Sequence, residues 1–325
     1  MSHPAAELAP SPWPRRLAWA TLLAALPLVL FGGTVTTLRA GMAIDGWFVL
    51  EPGRGDHFLL AYPLEKWLRD AGTFTEHTHR LFGALVGLLA IAHVACTVAL
   101  DRRRELVVAS IAGLVAICGQ GALGGFRVLE NSQQLAFLHG SFAQAVFALL
   151  ALNVVLASQA WRTLPRELDE RARGLRALSW LALLAVYAQI VLGAWLRHTG
   201  AALPLVLHVV GAFVSVAAVA LAARGWKRAA GDSAGRAPLA RASRRAHALV
   251  GAQALLGVGA LVAVMVFSGG FQGAVSTGEM VLATAHVLFG ALLLAQCLAG
   301  VLWSYRLLAE AGEGAQAPAG LEGAR

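Results

Sequence analysis

The sequence predicts an all-α polytopic membrane protein. Eight transmembrane helices form two pseudo-symmetric four-helix bundles, with both termini in the cytoplasm. Three observations predict this. The 325 residues are 58% hydrophobic and only 14% charged, with a mean hydropathy of +0.66, against about a quarter charged in a soluble domain. Eight apolar stretches are each long enough for a bilayer, which takes roughly 20 helical residues. Finally, the same short motifs recur in the two halves of the chain.

The spans lie near 17–38, 79–100, 106–126, 135–158, 175–196, 203–223, 246–268 and 281–304. The first follows Arg15 and Arg16. Its apolar run is longer than that of a cleaved signal peptide, so it reads as a retained helix. Orientation follows from Lys and Arg. With the N-terminus inside, cytoplasmic positions hold nineteen of the 26 basic residues and external ones seven: Arg39, Arg54, Lys66, Arg69, Arg80, Arg127 and Arg197. That asymmetry is the positive-inside pattern, with both termini cytoplasmic and an even helix count; the expected location is the cell inner (cytoplasmic) membrane, in contact with lipid. The net charge of +8 is therefore an orientation signal. The basic residues are scattered over short loops, which argues against nucleic acid as a partner. Cys96, Cys118 and Cys297 fall inside spans, so no external disulfide framework is expected. The chain contains no CxxCH.

Repeats organise the chain. Gln120-Gly-Ala-Leu-Gly124, Gln189-Ile-Val-Leu-Gly193 and Gln253-Ala-Leu-Leu-Gly257 share QxxLG in three odd-numbered spans. His79-Arg-Leu-Phe-Gly83 and His286-Val-Leu-Phe-Gly290 share HxLFG in spans two and eight. These matches suit a duplicated four-helix unit. The expected organisation is a leader (1–16), an N-terminal half (17–160), a linker (161–174), a C-terminal half (175–305) and a disordered tail (306–325), with leader, linker and tail cytoplasmic.

Each even-numbered span carries a histidine near its outer end. His79 opens span two, His139 lies about four residues into span four, and His208 and His286 about five into spans six and eight. Ionisable side chains in hydrocarbon mark functional sites. Four at one level, in alternate spans, suggest two facing pairs, which is the requirement for bis-histidine haem ligation. His79 and His139 would bracket one haem iron, and His208 and His286 another. Gly83, Gly140, Gly211 and Gly290 lie within about a turn of them and would leave room for a porphyrin face.

The other histidines read differently. His3 falls in the leader, His57 and His77 are external, His198 sits beside Arg197, and His247 is interfacial. His93 lies about 21 Å from His79 by helical rise, too far for the same haem. Arg80, Arg127 and Arg197 could pair with haem propionates at the outer surface, or equally be snorkelling or loop charges. Glu76 precedes His79 by three positions and shares its helix face. It could accept protons or stabilise positive charge on a substrate. It could equally be a first-turn helix carboxylate, with Thr73 or Thr75 as the cap.

Glu76-His-Thr-His-Arg80 followed by Leu-Phe-Gly resembles the ExxHR motif of the haem A synthase family. Arg197-His-Thr-Gly-Ala201, leading to His208 and Gly211-Ala212, is similar to the same family's junction of helices five and six. Leu138-His-Gly and Ala285-His-Val fit its other two ligand sites. Gly41-Met-Ala-Ile-Asp45-Gly-Trp47 looks like the start of its first external loop. The resemblance covers roughly 17–305.

It implies an oxidoreductase that converts the C8 methyl of haem O to the formyl of haem A by successive hydroxylations, for terminal cytochrome oxidase. By this resemblance His208 and His286 would hold a haem b cofactor. His79 and His139 would hold the substrate haem O, with Glu76 catalytic beside it. A haem O synthase would supply substrate, and an electron donor that the sequence does not identify would be needed. A homo-oligomer stays open. Some members carry cysteine pairs in the external loops; this chain has none there. The loop 39–75, with Trp47, Phe48, Phe58, Tyr62 and Trp67, reads as a lid on the substrate side or as an aromatic loop lying on lipid. The rival readings are a di-haem electron-transfer or quinol-oxidising subunit, a transporter with histidine proton relays, and a non-catalytic oxidase assembly factor.

Overall fold

The computed structural model describes residues 11–271 and 273–310. His3, most of the leader and residues 311–325 lie outside the described residues. Among those described, eight helices are long and apolar enough to cross a membrane. They are α1 (Trp13–Thr37), α2 (Ala71–Leu100), α3 (Arg104–Leu129), α4 (Gln133–Leu156), α5 (Ala172–Thr199), α6 (Ala202–Ala230), α7 (Ala237–Val262) and α8 (Thr277–Leu307). A π-helical turn, Ala263–Phe267, extends α7. The chain is an all-α polytopic membrane protein.

At α2 the helix begins eight residues before the apolar window. The window misses its first two turns because they carry Thr73, Thr75, Glu76, His77 and Thr78, all of them buried. The cap is Asp70, whose carboxylate accepts from Thr73 N at 2.8 Å. Neither threonine serves: Thr75 Oγ1 donates back to Ala71 O at 2.8 Å. His79 therefore sits two turns inside the helix. His77 belongs to the first turns of the helix, buried against Tyr62 and Trp67 at ring distances of 4.8 and 5.0 Å. His139, His208 and His286 lie six, six and nine residues past the first residues of their own helices, so the four agree in depth within about one turn.

Packing runs around two rings. Helices α1, α2, α3 and α4 contact one another in sequence, with α4 closing on α1; α5 to α8 do the same, with α8 closing on α5. The rings meet where α8 lies against α1 and α4, and where α4 touches α5. The interior is built largely from small side chains, as bilayer helices require for close approach. Trp226 is the main exception, lying flat on Gly300 with its Nε1 donating to Ser179 Oγ at 2.8 Å.

The end of the molecule away from the four histidines is tied by ion pairs. Asp101 is fully buried between Arg103, at 2.7 Å, and Arg162. Burial pushes its carboxyl up, but the two guanidinium groups more than offset that and hold it below the usual carboxylate range. Arg236 joins Glu167 and Asp169, at 2.8 and 2.7 Å. The tail does not become disordered at 306: Leu308–Ala309 pairs in parallel with Glu167–Leu168 of the linker, and both of its residues are buried. Backbone groups of the two segments satisfy each other there, which composition alone does not reveal.

The loop between α1 and α2 is folded. Strands β1 (Val49–Leu50) and β2 (His57–Phe58) pair antiparallel, above a small core of Ile44, Leu50 and Tyr62. Lys66 donates to Glu51 at 2.5 Å and holds its carboxyl below the usual range. That contribution is present above the ordinary glutamate pKa and is lost as pH falls through the depressed value. His57 Nε2 lies 3.1 Å from Lys66 Nζ.

Removing the Asp70 cap should cost about 1 kcal/mol, confined to the first turns of α2. Asp70→Ala is expected to speed amide hydrogen exchange over residues 71–78 while total helix content stays unchanged. Unaltered exchange there would show that the cap is dispensable.

Candidate functional site

The four deep histidines form two facing pairs. The rings of His79 and His139 have centroids 6.3 Å apart and planes at 80°. The rings of His208 and His286 are 6.2 Å apart, also at 80°. A metal–imidazole nitrogen bond of about 2.0 Å, plus roughly 1.1 Å from nitrogen to ring centre on each side, sets trans axial rings about 6.2 Å apart. Both pairs therefore have the separation that one six-coordinate iron requires.

Each ring is seated the same way, on the odd-numbered helix that precedes its own. His79 lies against Gly32, His139 against Gly124, His208 against Gly193 and His286 against Gly257. A Cβ at any of these glycines would come within 2.8–2.9 Å of the ring's Cε1. Three of the four glycines close a QxxLG motif. Its glutamine sits one turn earlier on the same face, beside the same histidine. Gln120 Nε2 donates to His139 O at 2.8 Å and lies 3.1 Å from Nδ1. Gln189 Nε2 donates to His208 O at 2.7 Å and lies 3.0 Å from Nδ1. Gln253 Nε2 approaches His286 at 3.4 Å on its Nε2 side. In α1 the glutamine position is Leu28, whose carbonyl lies 3.0 Å from His79 Nδ1. Gln120 O stands in the same relation to His139 Nδ1, at 3.2 Å.

Contacts of Nδ1 with carbonyls on the neighbouring helix suit iron. At His79 and His139 they put the ring proton on Nδ1 and leave Nε2 as the ligating atom, the arrangement usual for metal-bound imidazoles. At the C-terminal pair the fit to a bis-imidazole haem rests on the ring separation, since Nδ1 of His286 has no hydrogen-bond partner among the described residues. Sequence reasoning registered QxxLG only as a repeat and did not connect it to the histidines. The signal was present in the i, i+4 spacing of Gln and Gly.

Two of the glycines after the histidines make room for a glutamine: a Cβ at Gly211 would sit 2.4 Å from Gln189 Oε1 and at Gly290 3.3 Å from Gln253 Nε2, while at Gly83 it would lie in ordinary contact, 3.9 Å from Leu28 Cδ1. Gly140 faces His198 Nε2, 3.7 Å from its would-be Cβ.

Glu76 is 2% exposed. Its Oε2 accepts from Ile44 N at 2.9 Å and its Oε1 from Arg80 at 2.8 Å. Arg80 also donates to Ile44 O at 2.8 Å and Gly46 O at 2.9 Å. The pair fastens the first loop at Ile44–Gly46, and the next residue, Trp47, lies flat on Gly125 of α3. Gly125 is adjacent to Gly124, the seat of His139. Phe48 and Phe58 point outward, both more than 60% exposed.

The other arginines bind backbone carbonyls. Arg127 donates to Gly41 O at 3.3 Å. Arg197, at the end of α5, donates to Gly33 O of α1 at 2.7 Å and to Thr37 Oγ1, linking the two rings of helices. His93 is buried far along α2, with no hydrogen-bond partner at Nε2. His247 Nδ1 lies 2.9 Å from Ser243 O in its own helix.

Comparison with known proteins agrees in direction. The "Heme A synthase" of Symbiobacterium thermophilum is 31% identical over 192 residues, which cover 55% of this chain and 61% of that protein. The "Heme A synthase" of Erythrobacter litoralis is 24% identical over 216 residues, 57% of this chain and 63% of that protein. In both cases the match spans less than two thirds of the relative's length. The family described as cytochrome oxidase assembly protein, COX15-CtaA, matches residues 15–303, and on that match the chain belongs to the COX15-CtaA family.

Proposed function

We propose that this protein is a haem A synthase, oxidising the C8 methyl of haem O to a formyl group to give haem A for terminal cytochrome oxidase. The observation that carries the reading is the pair of facing imidazole sites, 6.3 and 6.2 Å between ring centres, in a chain of this family. We assign His208 and His286 to a resident haem b, and His79 and His139 to the substrate haem O. When bound, haem b supplies one-electron redox chemistry. The chain's own residues do the rest. Gly193 and Gly257 seat the two C-terminal rings, and Arg197 ties that half to α1. Gly32, Gly124 and Gln120 do the same for the substrate side. Trp47 covers the α3 backbone beside His139 and helps to exclude water.

Of the two chemical roles open to Glu76, stabilisation of developing positive charge is the better fit. A carboxylate held by Arg80 and Ile44 N is a fixed negative group in a dry site. Arg80 is largely committed to that clamp and to the loop. Arg127 and Arg197 have guanidinium nitrogens beyond those used on backbone carbonyls, and we assign those two to propionates. The positive-inside pattern places the histidine end of the bundle at the outer face of the inner membrane. A haem O synthase and an electron donor complete the set of partners.

Purified protein should show low-spin bis-imidazole haem. Because both pairs of planes stand at 80°, the ferric form is expected to give a highly anisotropic low-spin EPR signal. His208→Ala and His286→Ala should abolish the haem b component. A normal low-spin spectrum in either variant would unseat the C-terminal assignment.

Coexpression with a haem O synthase, followed by extraction and chromatography of non-covalent haems, tests catalysis. Glu76→Ala is expected to keep the haem b spectrum, accumulate haem O or a hydroxylated intermediate, and make little haem A. Glu76→Gln keeps an acceptor for Ile44 N but loses the charge, and should fail in the same way. A Gln variant as productive as wild type would reduce Glu76 to a loop anchor and favour the assembly-factor reading.

Orientation is read by reporter fusions. Fusions after Leu100, Arg162 and Trp226 should report cytoplasm, and those near Arg54 and Asn131 the outside. A cytoplasmic signal at Arg54 would reverse the assignment.

A further inference from the structure

Each histidine is seated on a glycine of the preceding helix, and at only one of the four seats is the residue one turn before that glycine not a glutamine. Gln120, Gln189 and Gln253 each bring an amide to their histidine. At His79 the equivalent position is Leu28, which offers only its backbone carbonyl. The contrast is sharpest within the N-terminal pair. His139 is held through its own carbonyl by Gln120 Nε2 at 2.8 Å, and its Nδ1 has two polar neighbours. His79 has one polar contact, at 3.0 Å, and no side-chain amide beside it. A glycine also stands opposite Leu28: a Cβ at Gly83 would lie 3.9 Å from Leu28 Cδ1, so nothing on that side blocks a longer side chain.

We infer that His79 is the releasable ligand of the N-terminal pair. A haem at that site enters and leaves by detaching from His79 while His139 keeps hold, and the glutamine at the other three seats is a positioning residue that suppresses such release. This rests on the reading of two bis-histidine haem sites proposed above, and it assigns the exchange step to one side of one of them. A substrate haem has to be exchanged every turnover, whereas a resident cofactor does not. The single seat without an amide lies on the pair assigned to substrate. An interhelical hydrogen bond of this kind contributes modestly, enough to change a dissociation rate several-fold without being needed for the fold.

The test uses the full chain in detergent, loaded with haemin as the probe, with loss of haem followed optically into an excess of apomyoglobin. Wild type should hold two haems and lose them in two phases, the faster of which is absent from His79→Ala. Leu28→Gln should slow the faster phase about threefold to tenfold and leave the slower one alone. Gln189→Leu, made independently, should speed the slower phase by a similar factor. This second variant keeps the test decisive if Leu28→Gln does not fold. Two bound haems with an unchanged fast phase in Leu28→Gln, or an unchanged slow phase in Gln189→Leu, would overturn the inference alone. A single haem in wild type that survives His79→Ala would overturn the two-site reading and the inference with it.

Discussion

The structure depends on bringing an imidazole edge-on against the bare backbone of the neighbouring helix. A polar ring in a bilayer interior has no water to satisfy it, so its second nitrogen has to find a partner in the protein. At His79 and His139 that partner is a backbone carbonyl one turn before a glycine, on the preceding helix. The approach is possible only because the glycine has no side chain; a methyl group would lie under 3 Å from the ring at all four seats. The glycine thereby sets the spacing of α1 with α2, α3 with α4, α5 with α6 and α7 with α8. Ring-to-ring separations of 6.3 and 6.2 Å follow from those four helix pairings together.

The first loop is fastened to this framework by a buried ion pair. Glu76 and Arg80 stand one helical turn apart on α2, flanking His79, and between them they bind Ile44 at both its N–H and its carbonyl, and Gly46 at its carbonyl. Breaking one partner of a buried pair strands the other, at a cost of about 3–5 kcal/mol. The loop position is therefore linked to the same residues that border His79, and Trp47 carries that link across to the seat of His139. The Glu76 carboxylate both accepts from Ile44 N and carries the charge that pairs with Arg80, so the glutamine and alanine variants carry different information.

The two helix rings resemble each other in how they seat histidines and differ in what covers them. The N-terminal pair lies next to a folded loop with its own small core of Ile44, Leu50 and Tyr62. At the C-terminal pair, the loop after α7 is short, and Arg39 reaches it through Phe271 O at 2.8 Å. Contacts such as Arg197 to Gly33 bind the two rings together at the same level as the histidines, so neither pair is mechanically isolated from the other.

Hydropathy and repeat pattern were enough to read eight spanning helices and the four deep histidines, because a bilayer demands long apolar segments and makes any polar residue within them conspicuous. The ordered motifs around Glu76, His139, His208 and His286 were enough to point to the family. The sequence alone did not set the start of α2, because its first two turns are polar yet buried beneath the loop, and hydropathy cannot distinguish a covered polar turn from an exposed one. It did not reveal that Gly32, Gly124, Gly193 and Gly257 are the seats of the rings, or that Glu76 and Arg80 grip Ile44 and Gly46. Those facts depend on which helix faces meet, and a glycine reads as helix lubricant, contact or cavity only once the neighbouring helix is in place. The same holds for Leu28: as a leucine in an apolar span it is unremarked, and it becomes the missing glutamine only when α1 is laid beside α2.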